Sequence, residues 1–189
     1  AAIFAKGADW FKEFGTDSST GYKLFSISGD CEKPGVYEFP WGITVADLLE
    51  EVGGQGAKAV QIGGASGICV PAQEFSRALA FEGIPTGGSV MVIGPERDIL
   101  DVAENFLEFF VEESCGQCTP CRLGNPQMLQ AVQLLQKGEC PPKFLADVKA
   151  LAETMTVASK CGLGQTSPSA FLSILEGFED EISNRAPSA

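Results

Sequence analysis

Cys115, Cys118 and Cys121 stand at three-residue intervals, and Cys161 stands far downstream in the segment KCGLG at 160–164. An iron–sulfur cube needs four thiolates, one for each iron. The spacing C-x-x-C-x-x-C lets one wrapping stretch offer three of them while a distant segment closes the fourth corner. Cys115, Cys118, Cys121 and Cys161 are therefore read as the metal-binding residues of a [4Fe-4S] cluster. Zinc is the main rival, since a tetrahedral site also accepts four thiolates, although structural zinc usually draws them as two separated C-x-x-C pairs. A redox dithiol at Cys115 and Cys118 is the other rival. It leaves Cys121 and Cys161 idle and wants a preceding strand, whereas a helical stretch comes before these cysteines.

The chain has no histidine. That removes mixed Cys/His zinc sites, Rieske ligation, C-x-x-C-H haem attachment and every Cys-His or Ser-His nucleophile. Cys31, Cys69 and Cys140 carry no ligand spacing and are expected to be small buried hydrophobes. The net charge of −12 is spread along the chain without a basic patch, which makes nucleic acid and anionic membrane surfaces poor partners. Seven cysteines, with no leader-like segment and no long apolar run, point away from a secreted disulfide scaffold and from membrane insertion. A reducing cytoplasm is the expected location.

Two kinds of texture must position these residues. In the first half, residues 22–28 (YKLFSIS) and 35–39 (GVYEF) read as a hairpin. A helix follows, with Thr44 as cap, Val45, Leu48, Leu49 and Val52 as its apolar stripe, and Gly53-Gly54 as its stop. Further strands are expected at 59–62 and 89–93, which together suggest an α+β domain of β-grasp type. From Pro95 onward the periodicity is helical. Asp98 precedes an apolar face of Ile99, Val102, Ala103, Phe106, Leu107 and Phe110, and the cysteine loop follows. Asn125-Pro126 is predicted to start a second helix, Pro142 a third and Ser167-Pro168 a fourth, the last burying Phe171, Leu175, Phe178 and Ile182. The expectation is an antiparallel four-helix bundle with the cysteine connections at one end. The domains are read as a connecting segment at 1–21, a β-grasp domain at 22–94 and a helical iron–sulfur domain at 95–189.

Glycine motifs add little. GQGAKA at 54–59 fits G-x-G-x-x-A, but it follows a helix and enters a strand, the reverse of a dinucleotide fingerprint. GGASG at 63–67 lacks a P-loop lysine and reads as a tight turn. Arg122 and Lys160 adjoin ligand cysteines, where a cation would soften the negative charge of a tetrathiolate cluster.

The segments ESCGQCTPCRLG at 113–124 and CGLGQTSP at 161–168 resemble the C-terminal half of the NADH-binding flavoprotein subunit of respiratory complex I. The same family includes the diaphorase subunits of NAD-reducing hydrogenases and the β subunits of NAD-dependent formate dehydrogenases. Ile27-Ser28-Gly29, residues 34–38 (PGVYE) and 61–67 (QIGGASG) look like that family's β-grasp (SLBB) domain. Residues 26–31 and Pro40-Trp41-Gly42 look closer to the hydrogenase diaphorases. The resemblance implies a one-electron relay in an NADH:acceptor oxidoreductase, with Cys115, Cys118, Cys121 and Cys161 as cluster ligands. It implies FMN and NAD(H) on a flavin-binding domain or partner chain absent from these residues, and further iron–sulfur subunits as partners. By this reading the chain alone does not oxidise NADH.

Overall fold

The computed structural model describes residues 1–185. Contacts divide it into two compact units, one of Ala1–Gly64 with Val70–Pro95, the other of Ala65–Cys69 with the chain from Glu96 onward.

The first unit opens with two short helices, α1 (Ala2–Lys6) and α2 (Ala8–Lys12), followed by the hairpin β1 (Tyr22–Gly29) and β2 (Gly35–Pro40). The strands run antiparallel with Tyr22 opposite Pro40 and Ile27 opposite Gly35. Period-two alternation buries Phe25 and Ile27 and leaves Leu24 exposed. Helix α3 (Val45–Val52) forms as the sequence predicts. Thr44 Oγ1 accepts from the Asp47 N–H at 3.1 Å, the four apolar side chains turn inward, and Gly53 ends the helix at φ 65°. That left-handed conformation is why a glycine stands there.

β3 (Ala59–Ile62), β4 (Ile68–Pro71) and β5 (Ser89–Ile93) complete a sheet of order β2-β1-β5-β3-β4. β5 lies parallel to β1 and antiparallel to β3. All four residues of β3 are buried, as befits an inner strand. The mixed order agrees with the expected β-grasp arrangement; β4 is an addition to the strands foreseen.

The second unit contains α4 (Ile99–Glu113), α5 (Thr119–Gln136), α6 (Pro142–Ala158), α7 (Gly162–Thr166), α8 (Pro168–Gly177) and α9 (Glu179–Ser183). α5 packs between α4 and α6, and α8 touches both α4 and α6. Two features differ from the sequence reading. α5 starts at Thr119 with Pro120 in its first turn and runs on through Pro126, so Cys121 is helical and Asn125 is an interior residue rather than a cap. The reason is that the Asn125 side chain is turned inward onto Phe110 and Cys121, where it cannot cap. The predicted fourth helix, from Ser167-Pro168 onward, is delivered as two short ones, α8 and α9, parted at Phe178, whose backbone leaves helical space, and α7 stands before it as an unforeseen helix. Consequently Phe171 and Ile182 are buried as expected, but Ala170 and Ile174 take the core positions while Leu175 and Phe178 are half-buried. Among the described residues no helix is long and apolar enough to cross a membrane.

Candidate metal centre

The C-terminal end of α4, the N-terminal end of α5 and the segment entering α7 carry the four cysteines. α4 stops at Ser114, whose backbone turns extended, and Gly116 then takes φ 72° to double the chain back. Arg122 braces that turn from the first turn of α5: its Nη1 donates to the Gly116 carbonyl at 2.8 Å. The cation expected beside the cluster thus also holds the cysteine loop in shape. Cys115 is exposed, Cys118 half-buried at the cap of α5 and Cys121 buried inside it; Cys161 is exposed at the cap of α7.

The two segments meet. The Cys118 thiol is held below its ordinary pKa first by a hydrogen bond from the Lys160 backbone N–H, then by one from the Cys121 N–H, with the Lys160 charge adding to them. Residue 160 immediately precedes Cys161. On the other side, a Cβ placed on Gly164 would lie 2.7 Å from Ser159 Oγ and 2.9 Å from Cys121 Cβ, so α7 approaches α5 as closely as a missing side chain permits. Among the described residues no three His, Cys, Asp or Glu side chains are gathered into a group that could hold a metal ion. What joins the cysteine segments is backbone: an N–H on one sulfur and a glycine against another.

Cys121 has polar company. Ser114 Oγ lies 3.3 Å from its sulfur and Asn125 Nδ2 3.4 Å from it. Asn125 is fully buried with its Oδ1 unpartnered, and the buried Ser159 hydroxyl is also unpartnered. These donors and the Gly164 cradle suit a thiolate-ligated inorganic group, which accepts hydrogen bonds at sulfur. The sequence reading gives none of these four residues a role at the sulfurs, and it places Asn125 as a helix cap. The only signal for Asn125 was its place one turn after Cys121 on the same helix face, and Pro126 masked it.

Residues 101–185 match the model of the NADH-ubiquinone oxidoreductase-F iron-sulfur binding region, and residues 24–68 match that of the SLBB domain. In these two stretches the chain is similar to the iron–sulfur binding region of the NADH-ubiquinone oxidoreductase F subunits and to SLBB domains. It is 42% identical to the NAD-reducing hydrogenase HoxS subunit alpha of Cupriavidus necator over 97% of its own length and 31% of that protein's. It is 35% identical to the NADP-reducing hydrogenase subunit HndC of Solidesulfovibrio fructosivorans, covering 95% of the chain and 39% of that relative. A crystal structure of an NAD+-reducing [NiFe]-hydrogenase in the H2-reduced state superposes with a TM-score of 0.93 at 35% identity, over all of this chain and 34% of that one. The chain thus spans between about three tenths and two fifths of these relatives.

All four predicted ligands fall inside the matched iron–sulfur binding region. Cys31 and Cys69 fall outside it. Cys69 is buried as expected, with its N–H bonded to Ser173 Oγ at 2.9 Å, whereas Cys31 is only half-buried. Cys140 lies within the region but is 1% exposed, and burial pushes its thiol pKa up, the condition of an inert structural cysteine.

Proposed function

We propose that Cys115, Cys118, Cys121 and Cys161 hold one [4Fe-4S] cluster and that the chain relays single electrons from FMN, on a flavin- and NADH-binding domain or partner, toward further iron–sulfur subunits. The observation that carries this is the meeting of the two cysteine segments, with the Lys160 N–H on the Cys118 sulfur and Gly164 against Cys121. A cubane spreads its thiolates over separate irons, so a three-plus-one set on two abutting segments suits it. When bound, such a cluster accepts one electron and passes it on.

The chain's own residues do the rest. α4 and α5 hold three cysteines about the Gly116 turn, Arg122 clamps that turn, and Lys160 supplies both a backbone donor and a positive charge beside the cluster. Exposure of Cys115 and Cys161 leaves one edge of the site reachable for electron exchange, while burial of Cys121 shields the other. The setting supported best is a multi-subunit NAD(H)-linked oxidoreductase of hydrogenase-diaphorase or NADH-dehydrogenase type, in the cytoplasm.

Iron and acid-labile sulfide analysis of anaerobically purified protein tests the reading. The expected result is about four irons and four sulfides per chain, with a reduced-state EPR signal of one cubane. Cys118→Ser is expected to abolish both. Stoichiometric zinc without sulfide would replace the relay by a structural metal module.

A further inference from the structure

We infer that Ser114 and Asn125 are positioning residues that donate two hydrogen bonds to the Cys121 thiolate, and that these bonds keep the cluster's reduction potential higher than the thiolates alone would set it. The inference rests on the iron–sulfur reading above.

A coordinated thiolate can only accept. Ser114 Oγ sits 3.3 Å from Cys121 Sγ and itself accepts the Gly116 N–H at 3.3 Å, so its own hydrogen is left for the sulfur. The two bonds form a chain, Gly116 N–H to Ser114 O–H to sulfur, in which each polarises the next. Asn125 has two amide hydrogens and two acceptors for them, Cys121 Sγ at 3.4 Å and the Phe110 carbonyl at 3.5 Å. Both residues come from elements already fixed by packing: Ser114 ends α4, and Asn125 lies one turn beyond Cys121 on the buried face of α5.

Packing alone does not explain an asparagine there. Asn125 is 0% exposed, and its Oδ1 finds no partner. An apolar side chain at that position would avoid the loss. Ser159 is a parallel case: its hydroxyl is buried and unpartnered, and it shares the tight face of Gly164 with Cys121. Of the three buried side-chain atoms left without a partner among the described residues, these two border the Cys121 corner, and the third, Gln61 Oε1, belongs to the first unit. Uncompensated polar groups gathered at one sulfur are what a site holding a charged inorganic group requires.

The sign follows from charge. Reduction adds one electron to the cluster, and donors aimed at a ligand sulfur stabilise the more negative state more. Removing a donor therefore lowers the potential.

The test is an EPR-monitored redox titration of the cluster-loaded chain in the variants Ser114→Ala, Ser114→Thr and Asn125→Ala. Each alanine variant is expected to shift the reduced-to-oxidised ratio at a fixed potential by about tenfold toward oxidised, which is about 59 mV downward for one electron. Ser114→Thr keeps the hydroxyl and is expected to restore the wild-type midpoint. The metal-free Ser114→Ala chain is expected to melt as the metal-free wild type does, which a merely structural role would not permit. Ser114 is half-buried at a helix end, so this variant carries the test if Asn125→Ala fails to fold. Full cluster content with an unchanged midpoint in Ser114→Ala would overturn the inference and leave the cluster reading standing. Absence of iron and sulfide from the wild type would overturn that reading itself and this inference with it.

Discussion

Gly162 and Gly164 lie either side of Leu163, yet a methyl group would meet very different surroundings at each. At Gly162 nothing lies within 4 Å, whereas at Gly164 the Ser159 hydroxyl and the Cys121 Cβ are already closer than a real Cβ tolerates. Gly164→Ala must push α7 away from α5, at an overpacking cost of about 1–3 kcal/mol. The expected result is a lower melting temperature and loss of iron and sulfide during purification, while Gly162→Ala stays close to wild type in both. Calorimetry and iron analysis on the pair decide it; equal cluster retention in the two variants would show that the approach of α7 does not matter. At this scale the four cysteines stand out as candidates because ligand spacing is a property of sequence, and all four lie inside the matched iron–sulfur binding region. Asn125 and Ser114 do not, because a hydrogen bond to sulfur depends on where a helix begins, and Asn125-Pro126 reads in the sequence as that beginning although α5 starts at Thr119.

Helix ends decide most of what happens at the scale of elements. Asp98 caps α4 by accepting the Leu100 N–H at 2.9 Å, and the same carboxylate pairs with Arg185 at 2.7 Å beyond α9. Asp98→Ala removes cap and ion pair together and is expected to cost about 1–2 kcal/mol. Arg185→Gln leaves the cap and removes this pair together with the 3.3 Å pair from Arg185 to Glu181, all partly exposed, and is expected to cost under about 1 kcal/mol. Urea unfolding of both variants measures the difference; equal losses would mean that the cap contributes nothing of its own. Where a cap and a stop both stood in the sequence, as Thr44 and Gly53 do around α3, the element was readable to the residue. β4 escaped notice because four residues ending in proline offer too short a pattern. The break at Phe178 escaped because its apolar spacing continues across the interruption, and periodicity alone cannot register a change in backbone direction.

For the molecule as a whole, acid is the informative perturbation. With no histidine among its residues, few ordinary groups of the chain titrate between about pH 5 and 8, so stability there should be nearly flat. Below that range Glu82 is a carboxylate of the first unit whose protonation is tied to specific hydrogen bonds. Its carboxylate accepts from the hydroxyls of Ser19 and Thr16, tying the segment after α2 to the loop before β5, and those two bonds hold its pKa below the ordinary value. The bonds favour the charged form. Their contribution is therefore complete above the unfolded carboxylate value of about 4.3, and it fades as pH falls through the lower folded one. Glu82→Gln is expected to lower stability at pH 7 and to lose less than wild type between pH 5 and 3, as read by denaturant midpoints across that range. Identical acid limbs would mean that the tether carries no linked protonation.

The bond from the Lys160 N–H to the Cys118 sulfur joins positions that the whole of α5 and α6 separates along the chain. A cofactor shared across that junction is also a clasp, because fastening two distant stretches strips conformations from the unfolded chain that it would otherwise be free to explore. The same atoms that carry charge would then carry mechanical load. Damage by oxygen would be felt twice, first as a broken wire and then as a helical unit that opens to proteases.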